Sequence, residues 1–368
     1  MQTPRYRWPT PNQVNNIVQN VRRKERLLMD PLKAIGLFAK LNPDKIFHYT
    51  EVDYSTNPPS NFATGIQHPF AVQAMILWAG EHGIGFDSSY RHKNKNRAPV
   101  TFLTTLDDNS HMIPGPVFLS SDVTAPTLTI FLHKVKKLVE SMAKELIAGT
   151  KEIDAGLESD RARVLAQART IVQAGWSPHF FMIDKCRAER TAIYNGVFYD
   201  LIYCQTILIC LLVFPQATVR ICQFHVMQAI LRWDKEHGDT FEPQPRPTLS
   251  LQCKHALLAA VRRLQRCRLS EDWDGDVERF KCDVEKLCEG SSASSKDILS
   301  YFRVNWFTED WRDLWTDIGL PAGELREKML STNNWTERAF KTFDQVFLGG
   351  RANKSAYHLV LIIANEWF

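Results

Sequence analysis

The chain has 368 residues, of which 44% are hydrophobic and 11% aromatic, so a disordered protein is excluded and a sizeable core is expected. Its 45 Lys and Arg residues against 41 Asp and Glu residues give a net charge of +4, which by itself is too small to indicate a nucleic-acid partner. The eight cysteines occur singly, which favours a reducing compartment over a disulfide framework. The first residues lack the apolar run of a secretory signal, so we expect none.

The pattern of apolar residues predicts helices first and then a sheet. Residues 1–75 are predicted to be helical, because apolar residues in "NQVNNIVQNVRRKERLL" and "DPLKAIGLFAKL" recur three and four positions apart. The stretches "GIGFDSSY", "APVTFLTTLD" and "MIPGPVFLSS" then predict three strands. Two helices follow, in "PTLTIFLHKVKKLVESMAKELIAG" and "DRARVLAQARTIVQAG". A strand "HFFMIDK", a helix "RAERTAI" and a strand "ATVRICQF" come next, so the order predicts an α/β fold with a mixed sheet flanked by helices.

The sequence from residue 249 to residue 330 has a charged, helical pattern, with a loose linker predicted at residues 291–295. Within it, Trp306, Trp311 and Trp315 recur at spacings of five and four. Packing in the core of this helical region is their simpler role, and stacking on nucleic-acid bases is the alternative.

One apolar stretch raises the question of a membrane. Residues 197–214, "VFYDLIYCQTILICLLVF", have a length at the lower limit for a membrane-spanning helix. Asp200 and Gln205 lie inside the stretch and no basic residues flank it. We therefore expect no membrane partner.

Two acids stand at the ends of predicted strands. Asp87 follows "GIGF" and Asp184 follows "FFMI". Acids at strand ends can converge on one metal site although they are far apart in sequence, and Mg²⁺ takes carboxylate oxygens as ligands. The structural alternatives are a turn at Asp87 and a helix cap at Asp184, both of which are common uses of Asp.

A third acid, Glu337, lies in "STNNWTERAF" where a helix is predicted to begin. Asn334 can be the N-cap of that helix, and Glu337, three residues later, can reach back to the N–H group of the cap. The first turn of a helix is also a favourable place for an acid that faces a site. From these residues alone, both interpretations stay open.

Four blocks, "GIGFDSSYRHKNKNRAPVTFL", "FFMIDKCRAERTAI", "FPQATVRICQFHVMQAI" and "STNNWTERAFK", occur in this order and resemble the transposases of Mutator-like (MULE) DNA elements. The resemblance implies an RNase H-like catalytic domain whose acid triad falls on Asp87, Asp184 and Glu337. It implies two Mg²⁺ or Mn²⁺ ions, cleavage and strand transfer on element-end and target DNA, a homo-oligomeric active complex and a nuclear location in a eukaryotic cell.

The apolar pattern of the first 75 residues and the resemblance of the rest together predict a division of the chain into four parts. These are an N-terminal helical region (1–75), the first part of the catalytic core (76–245), a helical insertion (246–328) and the final core helices with the third acid (329–368).

The family's C-x-x-H motif falls on Cys222 and His225. A place for His225 beside the acids or the scissile phosphate is one interpretation, with Cys222 as a packing residue. A histidine bonded to a backbone carbonyl is a second. Zinc bound by Cys222 and His225 together with Cys253 and His255 is a third, although the spacing matches no common zinc module.

The DNA contacts are predicted from basic and amide side chains. The stretch "RHKNKNR" follows the first acid directly, and its cations are predicted to hold a phosphate beside the metal: Arg91, Lys93, Lys95 and Arg97. Asn333 and Asn334 either bond to the DNA backbone or only end a loop. The basic stretches 134–137 and 262–268 have the spacing of solvated helix faces.

The chain departs from the family pattern between residues 194 and 213, where about twenty mostly apolar residues separate two blocks that would otherwise be continuous. A translated intron or a scar of element decay would explain them. No DNA-recognition module is apparent beside the core. The alternative to an active transposase is therefore a decayed or domesticated copy that binds or regulates DNA without catalysis.

Overall fold

A computed structural model describes the protein at these residues: 10, 13, 16–17, 27–55, 62–89, 93–184, 186–194, 213–214, 217–231, 249–289, 294–321, 323, 334–350 and 354–368. Its strands form one mixed sheet. In chain order they are β1 Ile46–Thr50, β2 Ala63–Ile66, β3 Ile84–Ser89, β4 Val100–Leu106, β5 Met112–Ser120, β6 Phe180–Ile183 and β7 Thr218–Ile221.

The strand order is β1-β2-β5-β4-β3-β6-β7. Neighbours from β1 through to β3 run antiparallel, whereas β3, β6 and β7 run parallel to one another. Helices lie between β3 and β6 in the chain, whereas β3, β4 and β5 follow one another through short connections. The prediction of an α/β fold with a mixed sheet is confirmed.

Helices cover both faces of the sheet. In chain order they are α1 Pro31–Leu41, α2 Pro69–His82, α3 Ala125–Ala148, α4 Arg161–Ala174, α5 Arg187–Tyr194, α6 Gln223–Leu231, α7 Leu251–Gln265, α8 Trp273–Cys288, α9 Ser295–Asn305, α10 Glu309–Trp315, α11 Asn334–Thr342 and α12 Ala356–Ile362. Two π-helical segments, Phe343–Phe347 and Ile363–Trp367, continue α11 and α12.

Each face of the sheet has its own apolar core because successive side chains of a strand point to opposite faces. In β5, Val117 and Leu119 pack with α1, α11 and α12, and Phe118 between them packs with α2 and α3. The second core also takes in the described helices of the insertion. A carboxylate on either face of β3 therefore meets a different set of helices.

Gly83 ends α2 and starts the strand that carries the first acid. Its N–H group donates to the carbonyl of Ala79, and its φ of 71° lies in the left-handed region that favours glycine. A Cβ atom at this position would lie 2.7 Å from the ring of Phe180 in β6. The close approach of backbone and ring is thus possible only with glycine, and it holds β3 beside β6.

The prediction that residues 1–75 are helical is wrong in part. α1 forms as expected, with Asp30 accepting hydrogen bonds from the Leu32 and Lys33 N–H groups as its N-cap. β1 and β2, however, lie within that region and extend the sheet beyond β5. Both strands are short, and the pairing of β2 with the edge of β5 and of β1 with β2 decides their conformation rather than their own apolar pattern.

The helical prediction for the insertion is confirmed by α7, α8, α9 and α10. Trp306, Trp311 and Trp315 are buried, and the Trp315 indole N–H donates to the Trp306 carbonyl at 2.9 Å. Their role in the core of the insertion is confirmed. Of the predicted linker, residues 291–293 lie outside the described residues.

The apolar departure from the family pattern also lies mostly outside the described residues. Its two flanks are adjacent: the Phe214 N–H donates to the Ile193 carbonyl at 3.4 Å. No helix in the described ranges is long and apolar enough to cross a membrane.

Candidate active site

The first two acids meet because their strands are parallel neighbours. Gly85 of β3 pairs with Met182 of β6, and Asp87 and Asp184 each lie two residues further along. Asp184 directly follows the last residue of β6. Parallel strands place equivalent positions at the same end of the sheet, so both carboxylates point to one region.

The third acid reaches this region through the packing of α11 on β3, β4 and β5. The ring of Phe340 stacks on that of Phe102 with 4.3 Å between centroids, and Phe102 is the cross-strand partner of Asp87. Glu337 lies about one helical turn before Phe340. The aromatic pair therefore sets the position of Glu337 above the sheet near Asp87.

His225 lies between two of the acids. The Cys222 N–H donates to the Ile183 carbonyl at 2.9 Å, which places the start of α6 beside the end of β6. His225 Nδ1 is then 2.7 Å from Asp184 Oδ1, and Nε2 is 3.2 Å from Glu337 Oε1. Both distances are those of hydrogen bonds, but the angles are not, so the contacts are ionic.

The acids crowd one another. The side chain of Asp87 reaches an open cleft, but the surrounding protein desolvates the carboxyl group, and this burial with the charge of Asp184 raises its pKa to about 7. The Ser88 N–H and His225 act in the opposite direction. Burial also raises the pKa of Glu337, against the opposing charge of His225. Because the acids are buried close together, the ionised forms of Asp87 and Glu337 are disfavoured.

The close contact with Asp184 is the main cause that raises the pKa of His225 to about 10, and Cys222 adds to it. His225 is therefore an imidazolium at neutral pH, and it neutralises carboxylates on both sides. A protonated imidazole cannot ligate a metal, because both ring nitrogens carry protons. Cys222 is fully buried and packs with Phe180, Met182 and Leu320.

A fourth acid, Glu189, lies behind the site on α5 and is 2% exposed. Burial raises its pKa well above the ordinary value, and the charges of Asp87, Cys186 and Asp184 raise it further, while Ser88 lowers it. Its Oε2 atom has no hydrogen-bond partner. Burial and the neighbouring acids thus favour the protonated form of Glu189.

An open cleft with a volume of about 1210 Å³ lies in front of the acids, larger than ordinary small-molecule pockets of about 300–1,000 Å³. Its floor holds the acids and His225, and α11 with its π-helical continuation forms one wall. The described lining residues are Asp87, Ser88, Ser89, Lys93, Asp184, Phe224, His225, Asn334, Glu337, Arg338, Phe340, Lys341, Thr342, Asp344 and Gln345. A groove of this size is suited to a polymer.

Lys93, one of the two lysines predicted to hold a phosphate, is paired with a carboxylate of the protein. Lys93 is buried, forms an ion pair with Asp344, and lies 5.6 Å from the ring centre of Phe340. Lys95 and Arg97 are exposed on the loop and do not line the cleft. Lys93 therefore holds its loop to the end of α11, and the other two remain predicted DNA contacts.

The remaining predicted DNA contacts fall on both sides of the described boundary. Asn334 begins α11, is exposed and lines the cleft. Arg91 and Asn333 lie outside the described residues. For Glu337, the Oε1 atom faces His225 and makes no hydrogen bond to the backbone of its own helix. This oxygen does not act as a cap.

The four-ligand zinc alternative is wrong. Within the described part of the chain, the groups of three or more possible ligands are Asp184–Cys222–His225 and Glu81–His82–Asp108. Cys253 and His255 belong to neither, and the Cys253 thiol instead lies 3.7 Å from the Leu287 carbonyl. The Cys222 and His225 pair is not completed by a second pair.

The carboxylates fit a hard divalent cation. Asp184 Oδ1 and Glu337 Oε1 are buried without hydrogen-bond partners, and Asp87 is raised in pKa by its neighbour. A cation among them would relieve this repulsion, and carboxylate oxygens are the ligands that Mg²⁺ prefers. Asp87, Asp184 and Glu337 are the residues that could hold it.

The sequence analysis missed four residues of this site. Glu189 follows Asp184 by five positions, and the charged start of α5 hid it among ordinary helix residues. Phe224, Arg338 and Lys341 border the cleft. Only the spacing of Arg338 and Lys341, three apart on the helix that carries Glu337, could have indicated them.

Comparisons with protein-family models, with curated proteins and with solved structures found no match. The geometry of the cleft and the resemblance of the four sequence blocks are therefore the grounds for proposing a function.

Proposed function

We propose that the protein is the catalytic part of a MULE-type DNA transposase with an RNase H-like core. In this proposal it cleaves a phosphodiester bond at an element end and joins the freed 3′-OH to target DNA. The observation that carries the proposal is the convergence of Asp87, Asp184 and Glu337 on one cleft. They come from β3, the end of β6 and α11, which are far apart in sequence.

The form of the sheet supports the proposal. Three antiparallel strands, β5, β4 and β3, are followed in space by the parallel strands β6 and β7. Asp87 lies on β3, and Asp184 directly follows β6, the parallel neighbour of β3. A long helical segment separates β7 from α11, as the resemblance predicts for the family.

In the proposed mechanism Asp87, Asp184 and Glu337 hold two Mg²⁺ ions. When bound, the ions supply activation of the attacking oxygen and stabilisation of the leaving oxygen. His225 orients Asp184 and Glu337 through its two ring nitrogens. The raised pKa of Glu189 behind Asp87 disfavours a further negative charge where the phosphate must approach. The protein contributes positioning and charge balance.

A second candidate function is DNA binding without catalysis. The observation that favours it is that the imidazolium of His225 already neutralises Asp184 and Glu337 without any cation. A copy in this state would keep the cleft and the basic side chains Arg338 and Lys341 that line it, but would have lower affinity for the metal.

Nicking of supercoiled plasmid in Mg²⁺ or Mn²⁺ separates the two functions. Asp184→Asn and Glu337→Gln keep the side-chain shape, and we expect each to lower the nicking rate by more than about 100-fold, since even indirect support of a metal ligand is worth 10–100-fold. Asp108→Asn is the matched control, because Asp108 belongs to the exposed acid cluster outside the cleft.

The parent should be tested as the full chain and as a version without residues 195–212, since Ile193 and Phe214 are adjacent and can be joined through the residues that remain. Metal-dependent nicking that both site variants abolish and Asp108→Asn retains supports the transposase. Folded parents that bind DNA and nick nothing would leave binding alone as the function.

A further inference from the structure

One aromatic side chain of α6, that of Phe224, lines the cleft. Phe224, the second residue of α6, lines the cleft and is 44% exposed. The neighbouring Cys222 and Val226 are fully buried. The two buried neighbours hold α6 against the sheet, and Phe224 is left on the side of the helix that faces the cleft.

The ring of Phe224 is close to the chemistry. Its centroid is 5.7 Å from that of His225, whose nitrogens contact Asp184 and Glu337. Single exposed aromatic residues are ordinary on protein surfaces. An exposed apolar ring inside a groove of acids, lysines and amides, one residue from the site, is a different arrangement, because much of the ring stays open to the cleft.

The wall of the cleft that α11 forms, here called the basic wall, carries two cationic side chains, Arg338 and Lys341. Arg338 and Lys341 of α11 are exposed and line the cleft, and neither forms an ion pair with any described carboxylate. Asn334, Arg338, Lys341 and Gln345 lie at spacings of four, three and four, which places them along one face of the helix. A polyanion lying along α11 would meet amide and cationic side chains in turn.

We propose that Phe224 is a stacking platform for an unpaired DNA base, and that Arg338 and Lys341 contact the phosphates of the same strand beside the scissile bond. The ligand is single-stranded or frayed DNA, because only an unstacked base offers its face to a side chain. The proposal rests on the proposed function for its substrate class, but the contacts themselves require no divalent cation.

Stacking on Phe224 and phosphate contacts from Arg338 and Lys341 would hold a DNA strand whatever its base sequence. Base stacking on an aromatic side chain tolerates any sequence, since every base has a π-face. Phosphate contacts from Arg and Lys are likewise independent of sequence. A platform of this kind would hold the end of a strand in place while leaving recognition of a particular sequence to other parts of the protein.

The test is binding to oligonucleotides that carry 2-aminopurine, in EDTA, with the full chain. We expect quenching of 2-aminopurine in a single strand or a 3′ overhang and little quenching in the centre of a duplex. Phe224→Leu keeps the apolar volume but removes the ring, so it should abolish the quenching and weaken single-strand binding by about 5-fold or more. Phe224→Tyr should retain both, and Val304→Ala, at an exposed position of the insertion, is the surface control.

Salt dependence tests the basic wall. Arg338→Gln and Lys341→Gln should each lower the slope of log affinity against log salt by about 0.7 for a single strand. Unchanged slopes, or equal quenching by the parent and Phe224→Leu, would overturn the proposal. The quenching experiment is done in EDTA, so it does not depend on catalysis. Quenching by a protein that does not nick DNA in Mg²⁺ would count against the transposase only. Nicking by a protein that gives no quenching would count against the stacking platform only.

Discussion

The chain contains two clusters made of the same residue types, and they differ in every property that matters for function. One consists of Asp87, Asp184, Glu337 and His225 at the cleft, and the other of Glu81, His82 and Asp108 on the surface. In the surface cluster, Arg163 contacts Asp108 at 2.6 Å and Glu81 at 3.4 Å. An arginine thus supplies the positive charge there.

The two clusters have opposite pKa shifts. Hydrogen bonds from Arg163 and His82 lower the pKa of Asp108 to about 2. Burial and a neighbouring carboxylate raise the pKa of Asp87 to about 7. Asp108 is stabilised as an anion by Arg163 and His82, whereas for Asp87 burial and the charge of Asp184 outweigh the opposing charge of His225. The comparison teaches that composition does not make a metal site, and that a buried carboxylate whose pKa is raised by a second carboxylate is the better indication.

The largest effect that would sharpen this comparison is stabilisation by Mg²⁺. At 100 times the dissociation constant, a bound ion adds about 2.7 kcal/mol to the free energy of unfolding. We expect a rise of this order in the parent and in Asp108→Asn, and none in Asp87→Asn. The rise should be larger at pH 8 than at pH 6, because metal binding must release the proton from Asp87.

Thermal unfolding followed by circular dichroism, with and without Mg²⁺, measures this effect. A rise that is equal in Asp87→Asn and in the parent would place the ion at another site. A rise that disappears in Asp108→Asn would assign it to the surface cluster and break the comparison.

A smaller effect is the pH dependence of the metal-free protein. The folded state holds the Asp87 proton between pH 3.8 and about 7 while the unfolded state does not, so this group's contribution falls as the pH rises through that window. His225 acts in the same direction between pH 6.5 and about 10. We therefore expect the free energy of unfolding to decrease from pH 5 to pH 9.

Urea unfolding at a series of pH values measures this slope. Asp87→Asn should flatten it below pH 7, and Glu189→Gln should flatten it further, since the pKa of that buried acid is also raised. Asp108 has the opposite sign, because its stabilisation is present above pH 3.8 and is lost as the pH falls toward 2. A slope unaffected by Asp87→Asn would mean that the cleft acids are not crowded in solution.

The smallest expected effect is that of Arg163→Ala. The partners of Arg163 are largely exposed, and surface ion pairs contribute about 0–1 kcal/mol. The free energy of unfolding should therefore change by about 1 kcal/mol or less, and stabilisation by Mg²⁺ should stay as in the parent. If Arg163→Ala instead created a second strong metal site, the counter-ion would be the whole difference between the two clusters.

Elements with a strong pattern of their own were predictable from the sequence. Strands β3, β4 and β5, helices α3 and α4, and the burial of Trp306 and Trp315 follow from apolar period and spacing. β1 and β2 were not predictable, because "IFHYT" and "ATGI" are short and the second has weak strand propensity. β2 becomes a strand by pairing with the edge of β5, and β1 by pairing with β2.

The sequence by itself determined the mixed sheet and, through the four resembling blocks, the candidate acids Asp87, Asp184 and Glu337. Only the tertiary structure decided that His225 bridges two of them, that Lys93 is already paired, and that Glu189 is a buried acid with a raised pKa. These properties depend on burial and on the distances between charges. Both arise when distant segments pack together, so no local pattern of residues carries them.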